Sequence, residues 1–165
     1  MLKQVALIII WLGVAPLCLR AQVGLTKVAP DSRVERILTE AKLNYTVDSD
    51  GDFKLYTQLK DGRLQTVWII SETQLVGSLE VRQVWSLGYA SDSPLPEPIL
   101  RELLEQNARV KLGAWQIRKM SGKYVAVFAV QVGANIDKTN LLQILSAVAS
   151  TADDLEKSLS DKDIF

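Results

Sequence analysis

The run from Tyr124 to Val132, Tyr-Val-Ala-Val-Phe-Ala-Val-Gln-Val, sets the strongest limit on how this chain can fold. It is nearly continuous in apolar, β-favouring residues, so both of its faces must be covered. A strand of that kind belongs in the middle of a sheet. The chain around it has to supply its neighbours and a covering layer, and 165 residues suffice for one compact domain that does so.

Upstream, Pro30 and a cap at Asp31 or Ser32 open a helix whose stripe Val34, Ile37, Leu38 and Ala41 runs to about Leu43. The period then changes to two. Asn44–Asp48 reads as a short strand, and Asp50-Gly51 as a two-residue hairpin turn with positive φ at both positions. Phe53–Leu59 follows, with Phe53, Leu55 and Leu59 on one face and Lys54, Tyr56 and Gln58 on the other. A second turn at Asp61-Gly62 leads to Leu64–Ser71, whose centre Val67-Trp68-Ile69-Ile70 is dense enough to be covered on both faces. Glu72–Leu79 reads as a loop or irregular edge. Glu80–Tyr89 resumes as a strand, with Val81, Trp85 and Leu87 on one parity and Arg82, Val84 and Ser86 on the other.

Ser91 to Pro96 is the strongest punctuation in the chain and introduces a helix with Pro98 in its first turn. Ile99, Leu100, Leu103 and Leu104 are expected to face inward. Trp115–Met120, a turn at Ser121-Gly122 and the Tyr124–Val132 run form the next hairpin. Asp137 then caps a long last helix, with the stripe Leu141, Leu145, Val148, Ala152, Leu155 and Leu159, ending near Ser160. That stripe fits packing on the chain's own sheet or a seam with a second copy. The expected fold is α+β, an antiparallel sheet covered by helices in the order α-β-β-β-β-α-β-β-α.

The first residues have a different character. Lys3 precedes an uncharged apolar stretch from Val5 to Leu17, and Ala21 offers a small residue at a cleavage point, the pattern of a secretory signal peptide over residues 1–21. The stretch has 13 residues, short of the roughly 20 that a membrane-spanning helix needs. Cys18 raises the alternative of a lipoprotein anchored through that cysteine, against which stands the bulky Leu17 immediately before it. Residues 22–30 are then a lead-in and 31–165 a single domain. Processing places the protein outside the cytoplasm, in the periplasm or beyond, with no stable membrane span and no cysteine for a disulfide.

The 19 basic and 19 acidic side chains balance, without the basic excess that binding to nucleic acid requires. The chain has no histidine, which removes the usual general base, the commonest transition-metal ligand and the simplest pH switch near neutrality. No phosphate loop, nucleophile elbow or Cys/His metal spacing occurs. Asp48-Ser49-Asp50-Gly51-Asp52 has a calcium loop's composition but not its register, since Gly51 falls fourth and Leu59 twelfth from Asp48. A hairpin accounts for those residues. Glu102 and Glu105 sit three apart on a helix face shared with Arg101, as solvated carboxylates do. The expectation is therefore no enzyme, no catalytic residue, no cofactor and no metal. Trp68, Trp85 and Trp115 are the candidate binding residues, as walls of a ligand cavity or as ordinary core.

From about Ser32 to Leu159 the chain resembles the YbjN-like family, whose fold is similar to that of type III secretion chaperones. The resemblance is carried by the Leu43-Asn44-Tyr45 strand entry after the first helix, the Asp50-Gly51 hairpin, Leu103-Leu104 with Asn107, Leu112-Gly113-Ala114-Trp115, Gly122, and the Leu141–Leu159 helix. It implies a fold and a tendency to bind proteins, and names no catalytic residue. The leader departs from the cytoplasmic setting of secretion chaperones. The functional expectation is an exported, non-enzymatic domain that binds a protein or peptide partner through an apolar groove or sheet edge, with homodimerisation compatible. The alternative is a cell-envelope protein binding a small molecule or lipid between sheet and helices.

Overall fold

A computed structural model describes residues 28–160 and 162–165. The expected leader, Cys18 and most of the lead-in lie outside the described residues. Three helices, α1 (Ser32–Glu40), α2 (Glu97–Arg109) and α3 (Lys138–Leu159), accompany strands β1 (Tyr45–Val47), β2 (Phe53–Gln58), β3 (Leu64–Ile69), β4 (Gln74–Val76), β5 (Leu79–Ser91), β6 (Ala114–Met120) and β7 (Lys123–Gly133). The strands form one antiparallel sheet in the order β1-β2-β3-β5-β7-β6, with β4 paired to β5. The α+β architecture is the expected one. β4 is a three-residue ladder inside the segment read as a loop or irregular edge.

β7 lies between β5 and β6 and is buried from Val125 to Val130, as its composition requires. Its odd and even residues serve different clusters. Ala126, Phe128, Val130 and Val132 join Phe53, Leu55, Val67, Ile69 and Val84 in the main core, where α1 contributes Val34, Ile37 and Leu38, α2 Leu103, and α3 Leu141, Val148 and Leu155. Val125, Val127 and Ala129 face the other way with Trp85, and among the described residues no helical residue belongs to that second cluster. The helices thus cover one face of the sheet. Each fully buried Leu, Ile or Phe there stabilises the fold by about 1.5–3 kcal/mol relative to an exposed position.

Several local expectations are corrected. α1 ends at Glu40, because Lys42 takes φ 55° and the Leu43 amide donates to the Leu38 carbonyl at 3.0 Å, a Schellman-type stop without its usual glycine. At the first hairpin only Gly51 has positive φ, and the Asp48 amide donates to the Asp52 carbonyl, giving a three-residue loop. The two-residue turn with both φ positive occurs instead at Ser121-Gly122, between the paired Met120 and Lys123. Leu104 is 69% exposed, because it lies one step past the Ile99, Leu100 and Leu103 stripe. Leu159, the last residue of α3, is 37% exposed. The Val67–Ile70 centre is buried at Val67 and Ile69 only, since Trp68 and Ile70 point to the face opposite α1, α2 and α3.

Candidate functional site

β1 is too short to match β2. It pairs with Phe53, Lys54 and Leu55 and then ends, while β2 continues to Gln58 with β3 on its inner side. The hydrogen-bond phase follows from the hairpin: the Leu59 amide donates to the Arg63 carbonyl at 2.9 Å, so alternate residues Thr57 and Leu55 bond inward to β3. Tyr56 and Gln58 turn their backbone groups outward, and Gln58 lies beyond the last β1 pair. Beside this edge is a groove of about 400 Å³ between the α1–β1 connection, β2 and α3. Leu43, Leu55, Leu142 and Leu145 give it an apolar floor, and Lys42, Asn44, Gln58 and Ser146 a polar rim.

The three tryptophans do not share a cavity. Trp115 is on the helix-covered face, where its ring meets Phe128 edge-on at 5.3 Å and its Nε1–H donates to Gln106 Oε1 at 2.7 Å. Asn107 fixes the same strand, accepting from the Trp115 amide at 2.6 Å and donating to its carbonyl at 3.3 Å. Trp68 and Trp85 are cross-strand neighbours on the opposite face and stack with centroids 4.3 Å apart. Lys54 lies over Trp68 and Arg118 over Trp85, at 5.5 and 5.6 Å from the ring centroids. Arg118 donates to Gln83 and Gln116, and burial pulls its guanidinium down from its ordinary range. This cation-flanked stack shields the side of the sheet that the helices leave uncovered.

Two ionic networks hold the ends of the fold. At one, Asp31 caps α1 and receives Arg82 at 2.5 Å and Arg33 at 2.6 Å, and Arg33 also pairs with Glu80 at 2.7 Å. Arg82 shares the strand parity of Val84 and is fully buried on that face. At the other end Asp153, Glu156 and Asp163 bring carboxylate oxygens within 4.8 Å of one another. The positive charge they call for comes from the protein: Arg63 lies 2.5, 3.1 and 3.6 Å from them, and Lys157 reaches Asp153 at 2.5 Å. Hydrogen bonds to Asp153 and Asp61 push Lys157 up to about 12. A divalent cation would have to displace these side chains. In the calcium-like loop, Asp48 Oδ1 caps the amides of Asp50 and Asp52, and Asp52 Oδ1 accepts from the Ser71 amide at 2.7 Å. Those carboxylates are occupied in turn geometry. Glu102 bonds Gln106 and Arg109 along its own helix surface.

A family model named YbjN and described as "Putative bacterial sensory transduction regulator" matches residues 30–160. The chain belongs to the YbjN family. No curated protein matches it. The YbjN description is that of a regulator and names no reaction, in keeping with a site made of a strand edge and an apolar groove. No described helix is long and apolar enough to cross a membrane.

Proposed function

We propose that this YbjN protein is an exported, non-enzymatic regulatory domain that takes up an extended segment of a partner protein along the outer edge of β2. The observation that carries this reading is the outward-facing backbone of Gln58 next to the Leu43–Leu145 groove. An added strand gains main-chain hydrogen bonds at such an edge, and every second side chain of that strand drops into the groove. The regulator description of the family supports a binding role. A small-molecule pocket finds less support, because Trp68 and Trp85 are on the opposite face from Trp115.

Gln58→Pro tests the edge, since it deletes an amide that points away from β3 and leaves the β2–β3 ladder bonded. Peptides selected on the unmodified protein from a random display library are expected to lose at least tenfold in affinity for Gln58→Pro, with unchanged melting. Unaltered binding by all selected peptides sinks the proposal. Export rests on the leader, and predicts a mature N-terminus at Gln22 when the protein from its native source is weighed intact. A chain retaining Met1 contradicts export with cleavage, and one beginning at an acylated Cys18 assigns a lipid anchor instead.

A further inference from the structure

β3 and β5 pair at Val67, Trp68 and Ile69, with the Ile70 amide donating to the Gln83 carbonyl at 2.9 Å, and part before Thr66, whose carbonyl accepts from Ser86 Oγ instead. On the core side of the gap Gln65, fully buried, donates its side-chain amide to Ser86 Oγ at 2.9 Å and to the Leu87 carbonyl at 2.7 Å. Leu64 and Thr66 are in the outward phase of β3, the opposite of Gln65, so their amides face the edge that β5 has left. That edge is filled by residues 163–165. The Leu64 amide donates to Asp163 Oδ2 at 3.2 Å, and the Thr66 amide and hydroxyl donate to the main-chain oxygen of Phe165 at 2.9 and 3.1 Å. Arg63 stands 3.6 Å from the Asp163 carboxylate, and the Ile164 amide donates to Glu156 Oε1 at 2.6 Å.

We infer that the Arg63–Thr66 edge is a second docking site, for an extended segment of a partner protein that carries an acidic residue at the Arg63 end, which the chain's own Asp163-Ile164-Phe165 occupies in cis. The occupant displays what the edge selects. A carboxylate meets the Arg63 guanidinium and the Leu64 amide, and a main-chain oxygen two residues later meets Thr66. These contacts are made by an extended backbone and an acidic side chain, which a segment from another chain reproduces. Ile164 is 59% exposed and Phe165 only partly buried, so release of the segment is a local opening rather than unfolding. Lys54 and Tyr56 line a further 310 Å³ beside it, room for a longer acidic ligand than the three residues now there. Occupancy in cis lowers the apparent affinity for a partner by the fraction of time the edge is open.

The test uses a fluorescein-labelled, C-terminally amidated peptide, Ser-Gly-Ser-Lys-Asp-Ile-Phe, with the full chain and with Asp163→Ala. Hydrogen exchange at the Thr66 amide reports release of the segment, and anisotropy reports binding. Asp163→Ala is expected to exchange at Thr66 at least tenfold faster and to bind the peptide at least fivefold more tightly than the unmodified chain. Adding Leu64→Pro removes the gain, as does replacing the peptide's Asp by Lys. Gln58 faces Leu64 across the β2–β3 ladder, but its amide points away from β3, so Gln58→Pro leaves all of these results in place. Unchanged exchange at Thr66 overturns the inference, as does faster exchange without tighter binding. A gain retained by the Lys-substituted peptide also overturns it. Sedimentation showing two copies joined by exchange of this segment assigns the occupant to a second copy and overturns the partner reading.

Discussion

Arg82 is a guanidinium with no exposed side-chain surface, set among the core strands, and it is tolerable only because Asp31 meets it at 2.5 Å and the Ile70 carbonyl accepts from it at 3.2 Å. Burial alone would raise the Asp31 pKa, but hydrogen bonds from Arg33 and Arg82 outweigh it and hold that carboxyl well below the usual range. A hydrogen bond from Arg33, helped by Thr73, lowers Glu80 to about 2. Both groups are depressed in the folded state. Their contribution is therefore present above the unfolded carboxylate range, near pH 4, and lost as pH falls toward 2. Asp52 works in the opposite sense: burial raises it, against the Ser71 amide bond and with Asp48, Asp50 and Glu72 adding to the rise, so proton uptake there stabilises. The depressed pair dominates. Urea unfolding between pH 6 and 2.5 should show stability falling by on the order of 1–3 kcal/mol for Asp31 alone, and Arg33→Gln should flatten that fall. An equally steep fall in Arg33→Gln would show that these carboxylates do not set the acid limit.

At the scale of elements, what was legible depended on whether one segment decided its own fate. α3 was readable from Asp137 to Ser160 because its cap and its four-three stripe are both local, and β7 was readable because an apolar run has to be interior. Turns were half legible. Asp50-Gly51 marked the bend, but loop length depends on which residues pair across it, and Asp48 with Asp52 made it three residues. The strand parity of β5 was readable up to Leu87. Beyond it an irregularity in the β5–β7 register inserts Gly88, whose hydrogen-only side lies where a Cβ would meet Trp115 Cη2 at 2.6 Å. That close approach comes from a strand more than twenty residues away. The candidate site was illegible for the same reason. An open edge at Gln58 exists because Lys42 turns the chain so that β1 starts late, and the occupied edge at Thr66 exists because β5 bends away. Neither fact resides in the residues of the edge. The resemblance was carried by residues such as Asn107, whose side chain turns out to tie α2 to the Trp115 backbone.

At the scale of the whole molecule the sheet is covered asymmetrically, and this assigns α3 its role. Its inner residues Leu141, Val148, Ala149, Ala152 and Leu155 are fully buried in the main core with residues of β2, β3, β5 and β7, so the stripe that could have served as a seam between two copies is spent within one. Leu141 is the informative position, because it lies in the first turn of α3 and outside the groove at Leu142 and Leu145. Leu141→Ala removes a fully buried side chain between helix and sheet, and should destabilise the protein by about 2–5 kcal/mol through lost transfer energy and the cavity left behind. Leu159→Ala, at the partly exposed end of the same stripe, should cost less, about 1 kcal/mol. Urea unfolding of both variants, with sedimentation at matched concentrations, separates the two roles of the helix. If Leu141→Ala unfolds like the unmodified protein while an existing dimer dissociates, the buried face belongs to an interface. A large loss of stability with an unchanged sedimentation coefficient makes α3 the roof of the domain and leaves the edges of β2 and β3 as its binding surfaces.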